Sequence, residues 1–198
     1  MAYIMEFRVS GRAKVNQHVG PIGVVAACLM NPAGDVRKTY DKHLDPHCNE
    51  ATSQRVALSA IILALQKAQE LHRKLKIRTR LAVSIATDSQ AALDTATRLA
   101  SLYSLNNWKT DIGQDVLHKD LMQVFLDNDA KVKALGTVRY RYIPVQHSTI
   151  AREASRQALD NFEIEISRLD PKVLARWEEI YQDEYGSLEQ DHIQSPAL

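Results

Sequence analysis

The chemistry open to this chain of 198 residues rests on one well-placed carboxylate and several groups of cations. Asp88 stands in Thr87-Asp88-Ser89, directly after the short apolar run 81–86 (LAVSIA). A carboxylate at a strand end has two uses. It can ligate a hard cation, or it can cap the next helix by accepting backbone N–H groups. The cations gather at Arg8, Arg12 and Lys14, at Arg73, Lys74, Lys76, Arg78 and Arg80, and at Arg139 and Arg141. Side chains of this type grip a phosphate backbone whatever its base sequence. His43, His47 and Cys48 form an H-x3-H-C cluster, with Cys28 the other thiol, but the spacing matches no zinc-finger pattern and no metal is expected there. Gly11, Gly20 and Gly23 make no phosphate-binding fingerprint, and neither G-x-S-x-G nor C-x-x-C occurs.

The elements that must position these residues follow from periodicity. Residues 3–9 (YIMEFRV) predict a strand, and 10–19 is polar and turn-like. Residues 20–30 (GPIGVVAACLM) read as a strand buried on both faces. Asn31-Pro32-Ala33-Gly34-Asp35 is a turn, and 36–44 returns as a third strand. Thr52 or Ser53 opens a long helix, in which Leu58, Ile61, Ile62, Leu65, Ala68 and Leu75 form one stripe. Residues 81–86 predict a central strand, 91–102 a helix, and the apolar repeat from Val116 to Leu126 a further helix that Gly136 ends. Val138, Tyr140 and Tyr142 alternate with Arg139 and Arg141 in a fifth strand, and 150–169 is helical. Asp170-Pro171 starts a last helix with an apolar stripe of Val173, Leu174, Trp177, Ile180 and Tyr181. The order is three strands, then alternation. It implies an α/β fold: a mixed sheet of five strands with helices on both faces.

Composition sets the limits. With 45% hydrophobic and 25% charged residues the chain is ordinary globular material. No apolar run approaches the roughly 20 residues of a membrane span, the N-terminus lacks the order of a signal peptide, and two Cys make no disulfide framework. An intracellular protein of nucleus or cytoplasm is expected. The net charge of +1 divides unevenly. Residues 1–159 hold 22 Lys and Arg against 14 Asp and Glu, a net of +8, and residues 160–198 hold 3 against 10, a net of −7. A basic body with an acidic tail points to a polyanionic partner. The tail helix either packs on its own domain or serves a protein partner or a second copy.

Four motifs in order carry a family resemblance over roughly residues 3–160. They are the buried strand 20–30 with its NPAGD turn, Thr52-Ser53-Gln54-Arg55-Val56-Ala57-Leu58, Ala86-Thr87-Asp88-Ser89-Gln90-Ala91-Ala92, and Tyr142-Ile143-Pro144-Val145-Gln146-His147-Ser148. Together they resemble the ribonuclease H family, and the order and spacing suit the RNase H domains of fungal retroelements. The resemblance implies an RNase H-like three-layer domain over residues 1–160, with residues 161–198 as an acidic helical extension. It also implies a chemistry: two divalent cations ~4 Å apart, clamping the attacking and leaving oxygens of the RNA strand of a hybrid. The family supplies four carboxylates for them.

In this chain the motif comparison puts Val9 at the first-strand acid, Ala57 at the first-helix Glu, Asp88 at the fourth-strand Asp, and Arg156 or Gln157 at the last-helix Asp. Asp88 alone is retained. Glu6, Glu50 and Glu153 are the nearby acids that would have to substitute, and Glu6 is expected on the opposite side of its strand from Val9. His147 stands at the family's mobile histidine and, without metals, reads as a solvent-exposed loop residue. The expectation is a catalytically degenerate domain, with no cofactor, that binds nucleic acid (hybrid or duplex) or a protein. The residues expected to hold nucleic acid are Arg8, Arg12, Lys14, Arg55, Arg73, Lys74, Arg139 and Arg141. The alternatives are an active hybrid nuclease using Mg²⁺ or Mn²⁺ on rearranged ligands, and a protein-interaction scaffold without nucleic-acid affinity.

Overall fold

The computed structural model describes residues 2–44, 51–75, 79–170 and 172–176. Strands β1 (Ala2–Asn16), β2 (Gly20–Met30) and β3 (Val36–His43) form an antiparallel meander. Helix α1 (Ser53–Arg73) crosses to β4 (Arg80–Thr87), which lies parallel to β1. Helix α2 (Gln90–Asp94), a π-helical turn (Thr95–Leu99) and α3 (Ala100–Leu105) follow without a break. Helix α4 (Lys119–Leu135) leads into β5 (Gly136–Tyr142), parallel to β4, and α5 (Thr149–Ser167) returns to the other face. The sheet has five strands in the order β3-β2-β1-β4-β5. Among the described residues no helix is long and apolar enough to cross a membrane.

Strand alternation builds two cores. Met5, Phe7 and Val9 of β1 and Val25, Ala27 and Leu29 of β2 point to α1 and α4, where they join Ile61, Leu65, Ile85 and Phe125. The intervening residues of β2 point the other way. Ile22 and Val24 meet Ala158, Leu159, Phe162 and Ile166 of α5, while Cys28 and Met30 meet Ala151. Hence β2 is apolar throughout. Each fully buried Leu or Ile contributes about 1.5–3 kcal/mol.

Helix α1 begins at a Thr52 cap, whose hydroxyl accepts from Arg55 N at 3.2 Å. The segment 10–19 is not a turn over most of its length. β1 runs on to Asn16, with Arg12 opposite Val24 and Lys14 opposite Ile22. The ladder bonds offered by β2 override the polar side chains, which project from the strand. The turn is confined to 17–19, where Asn16 Oδ1 accepts from His18 N and Val19 N. Helix α4 starts at Lys119 rather than at Val116, because Val116 N donates to Trp108 O within the preceding loop.

Helix α5 is continuous through position 160, where the sequence suggested a domain boundary. Phe162 and Ile166 are core residues, and Leu174 packs against the same cluster. Asp170 caps the following turn, its side chain accepting from Lys172 N at 2.8 Å. Trp177, Ile180 and Tyr181 lie outside the described residues.

Candidate nucleic-acid interface

A cleft opens where β1 and β4 run side by side toward the C-terminal end of β4. The register pairs Val9 with Thr87, so the next residues, Ser10 and Asp88, adjoin. Gly11 sets the cleft's width. A Cβ there would lie 2.5 Å from the Val56 carbonyl oxygen, so only glycine lets α1 come so close to β1. That approach puts Ser53 and Ala57 on one wall, and α5 supplies Arg152 and Leu159 to the other. Arg12, Lys14 and Ser89 complete the lining of a cavity of about 540 Å³. Ser10 belongs to the lining, and its Oγ lies 3.4 Å from Ser155 Oγ behind it; both residues are buried, and Ser155 Oγ also donates to Arg152 O at 2.9 Å.

Asp88 is the carboxylate of this lining, and Arg152 holds it: Nη1 donates to Oδ2 at 3.1 Å. The Asp88 side chain is 11% exposed and that of Arg152 42%, so the acid sits inward and the guanidinium faces the opening. Asp88 is not the helix cap that a strand-end Asp suggested. Ser89 does that work, its hydroxyl accepting from Ala92 N at 3.2 Å, while Thr87 Oγ1 accepts from Ser89 N. Lys14 pairs with Glu163 at 2.7 Å. Arg12 Nε is buried and has no hydrogen-bond partner among the described residues. Among the described residues no group of three or more His, Cys, Asp and Glu side chains is placed to share a metal ion.

A family model of RNase H matches residues 11–158, three-quarters of the chain. The chain belongs to the ribonuclease H family. Solved structures agree on the fold. The foamy viral protease-reverse transcriptase in complex with dsDNA superposes with a TM-score of 0.60 at 16% identity, covering 77% of this chain and 92% of that one. RNase H1 of the halophilic archaeon Halobacterium salinarum gives 0.53 at 16% identity, covering 80% and 99%. LC11-RNase H1 in complex with an RNA/DNA hybrid gives 0.55 at 18%, covering 79% and 97%. A search of curated proteins gave no match.

The RNase H fold sorts the residues singled out from sequence. Ala57 and Asp88 line the cleft together with Arg12 and Lys14. Val9 does not: it is fully buried in the α1-side core, and its neighbour Ser10 is the first β1 residue that lines the cleft. Period-two alternation after Met5 and Phe7 is the signal that separates them. Arg156 and Gln157 are exposed on α5, with Arg156 bonded to Glu153 and Asp160. The inward residue of that turn is Ser155, in helical register with Ala151, Ala158 and Phe162. Arg152 and Ser155, both missed in the motif comparison, lie on the inward side of α5.

Of the substituting acids, Glu6 pairs with Arg141 on the face away from Val9, and Glu153 is held by Arg156 and Gln157, which bring its carboxyl down to about 2. Glu50 lies outside the described residues. His147 is exposed, and its carbonyl accepts from Arg8 Nη1 at 3.5 Å.

The remaining expected nucleic-acid contacts divide. Arg55 is 7% exposed and points away from the cleft, where its guanidinium makes two bonds to Asp120, at 2.7 and 3.1 Å, and one contact to His118. Burial of the stem and this bidentate pair make it a strut between α1 and α4, not a phosphate contact. Arg73 and Lys74 end α1, 16 and 17 residues beyond Ala57, hence roughly 25 Å from the cleft at the helical rise. Lys74 there pairs with Glu70. Arg139 and Arg141 project from the edge strand β5, opposite to Tyr140. His43 stacks on Phe162 at 3.9 Å, and Cys28 is buried beside Thr39; His47 and Cys48 lie outside the described residues.

Proposed function

We propose that this RNase H-family domain binds nucleic acid along the cleft without cutting it. The observation that carries the reading is the Asp88–Arg152 ion pair. Two-metal phosphodiester cleavage needs several anionic oxygens converging on two dications. The groups at hand are one carboxylate already neutralised by a guanidinium, the Ala57 methyl, and two serine hydroxyls bonded to each other. That donor set does not fit the pair of cations, and no step is routed through them. A fixed positive charge next to Asp88 adds Coulomb repulsion to the missing ligands.

Binding has a separate basis. Arg12, Lys14 and Arg152 line one cleft in which, among the described residues, Asp88 is the one acid. Two neighbours in fold are captured with RNA/DNA hybrids: the foamy viral protease-reverse transcriptase and LC11-RNase H1. Backbone contacts of this kind need no base recognition.

The test is a labelled RNA–DNA hybrid incubated with the full chain in Mg²⁺ or Mn²⁺, with binding followed by anisotropy across a salt series. No cleavage and a steep loss of affinity with salt are expected. Cleavage that disappears in Asp88→Ala would make the domain an active nuclease. Absence of salt-dependent binding would make it a protein-interaction scaffold.

A further inference from the structure

We infer that Arg152 takes a backbone phosphate of the bound strand in the cleft, converting a site that the family builds for cations into an anion site. The inference rests on the binding reading above and names the group that does the gripping.

The guanidinium has five N–H donors in a rigid fork. Among the described residues Asp88 is its side-chain partner, engaged through one Nη1 contact at 3.1 Å. The remaining donors sit on a side chain 42% exposed at the cleft mouth. Arg12 lines the same cavity, with a buried Nε that lacks a partner among the described residues. A phosphate has the planar pairs of oxygens that a guanidinium engages two at a time. A cation would meet the opposite: a repelling Arg152 and two hydroxyls bonded to each other, Ser10 and Ser155. Asp88 then acts as a positioning residue. Largely buried, it fixes one edge of Arg152 and leaves the other edge free for the ligand.

The sign of the site gives a test that a purely structural ion pair would not pass. The probe is a short fluorescein-labelled RNA–DNA hybrid, titrated with the full chain in EDTA. Arg152→Gln should weaken binding by roughly 10- to 100-fold and lower the salt slope by about one. Arg152→Lys should restore the slope but not the full affinity, since a point charge lacks the fork. Arg156→Gln, one turn further on and turned to solvent against Glu153 and Asp160, removes the same formal charge and should change little. Asp88→Asn, which keeps an acceptor oxygen for Arg152, should bind at least as well as the parent, and EDTA should have no effect. Melting temperatures verify that each variant is folded.

If the parent binds with a salt slope and Arg152→Gln matches it in affinity and slope, the inference fails while the binding reading stands. If the parent binds neither in EDTA nor in Mg²⁺, both fail. Binding lost in EDTA or in Asp88→Asn would show instead a metal held by Asp88.

Discussion

Ser10 of β1 and Ser155 of α5 meet hydroxyl to hydroxyl at 3.4 Å, both buried, across the gap between sheet and helix. Two carboxylates could not occupy those positions without a compensating cation, because like charges so close cannot both stay ionised. The triple variant Ser10→Asp, Ala57→Glu, Ser155→Asp surrounds Asp88 with acids. It should melt lower than the parent in EDTA. Mn²⁺ at about a hundred times its dissociation constant should raise the melting temperature by roughly 5–10 °C. Identical melting curves in EDTA and Mn²⁺ would show that the cleft's geometry does not hold a metal even with the acids supplied.

Arg55 is a matter of stability. Its guanidinium joins the start of α1 to Asp120 at the start of α4. Arg55→Ala removes a buried stem and two charge-assisted bonds, so unfolding free energy should fall by about 2–3 kcal/mol in urea titrations. Arg55→Met keeps most of the stem and should lose less. Hybrid binding by the folded fraction should be unchanged; a specific loss of affinity would return Arg55 to the interface.

The same pair sets an acid response. The Arg55 bond holds the Asp120 carboxyl below its usual value, against an opposing effect of burial. A carboxylate whose folded pKa is depressed adds stability that is complete above its unfolded pKa, near 4, and is lost as pH falls through the folded one. Urea midpoints should therefore drop between about pH 5 and pH 3, and Asp120→Asn should show a shallower drop from a lower start. Glu70 is brought down to about 2 by Lys67 and Lys74, and Glu153 likewise by Arg156 and Gln157; both carboxylates are open to solvent, so their share should shrink when salt is added.

Gly11→Ala would set a methyl 2.5 Å from the Val56 carbonyl oxygen, a backbone atom that moves only with α1. Stability should fall by about 1–3 kcal/mol. Because Ser53 and Ala57 ride on that helix, hybrid affinity should fall as well even where the protein remains folded. Unchanged affinity in a folded variant would mean that the α1 wall does not touch the ligand.

Most of the architecture was legible because periodicity reports burial directly. Gly20–Met30 is the strand its apolar run announced, and the cap of α1 is Thr52, one of the two residues, Thr52 or Ser53, that the sequence left open. The length of β1 was not legible: ladder bonds to β2 carry Arg12 and Lys14 into a strand that their polarity argued against. At the site, Ala57 and Asp88 line one cleft, whereas Val9 lies in the core and Arg156 and Gln157 lie on the solvent side of α5, with Ser10 and Ser155 the neighbours that turn toward the cleft. Side-chain direction decides these cases. A strand turns its face with every residue, and a helix turns by about 100°. Arg152 carries no motif at all, and only the packing of α5 on the sheet brings it to Asp88.

The two outer strands also constrain how any partner can arrive. β3 is an edge, with Arg37, Lys38, Asp41 and Lys42 exposed along it, and β5 is the other, with Arg139 and Arg141 exposed. A strand laid against either edge would strip water from these ions without offering them counter-charges. The sheet thus terminates itself. Edge-on pairing with a borrowed strand is thereby disfavoured, which leaves the cleft and the helix faces as the surfaces open to contact.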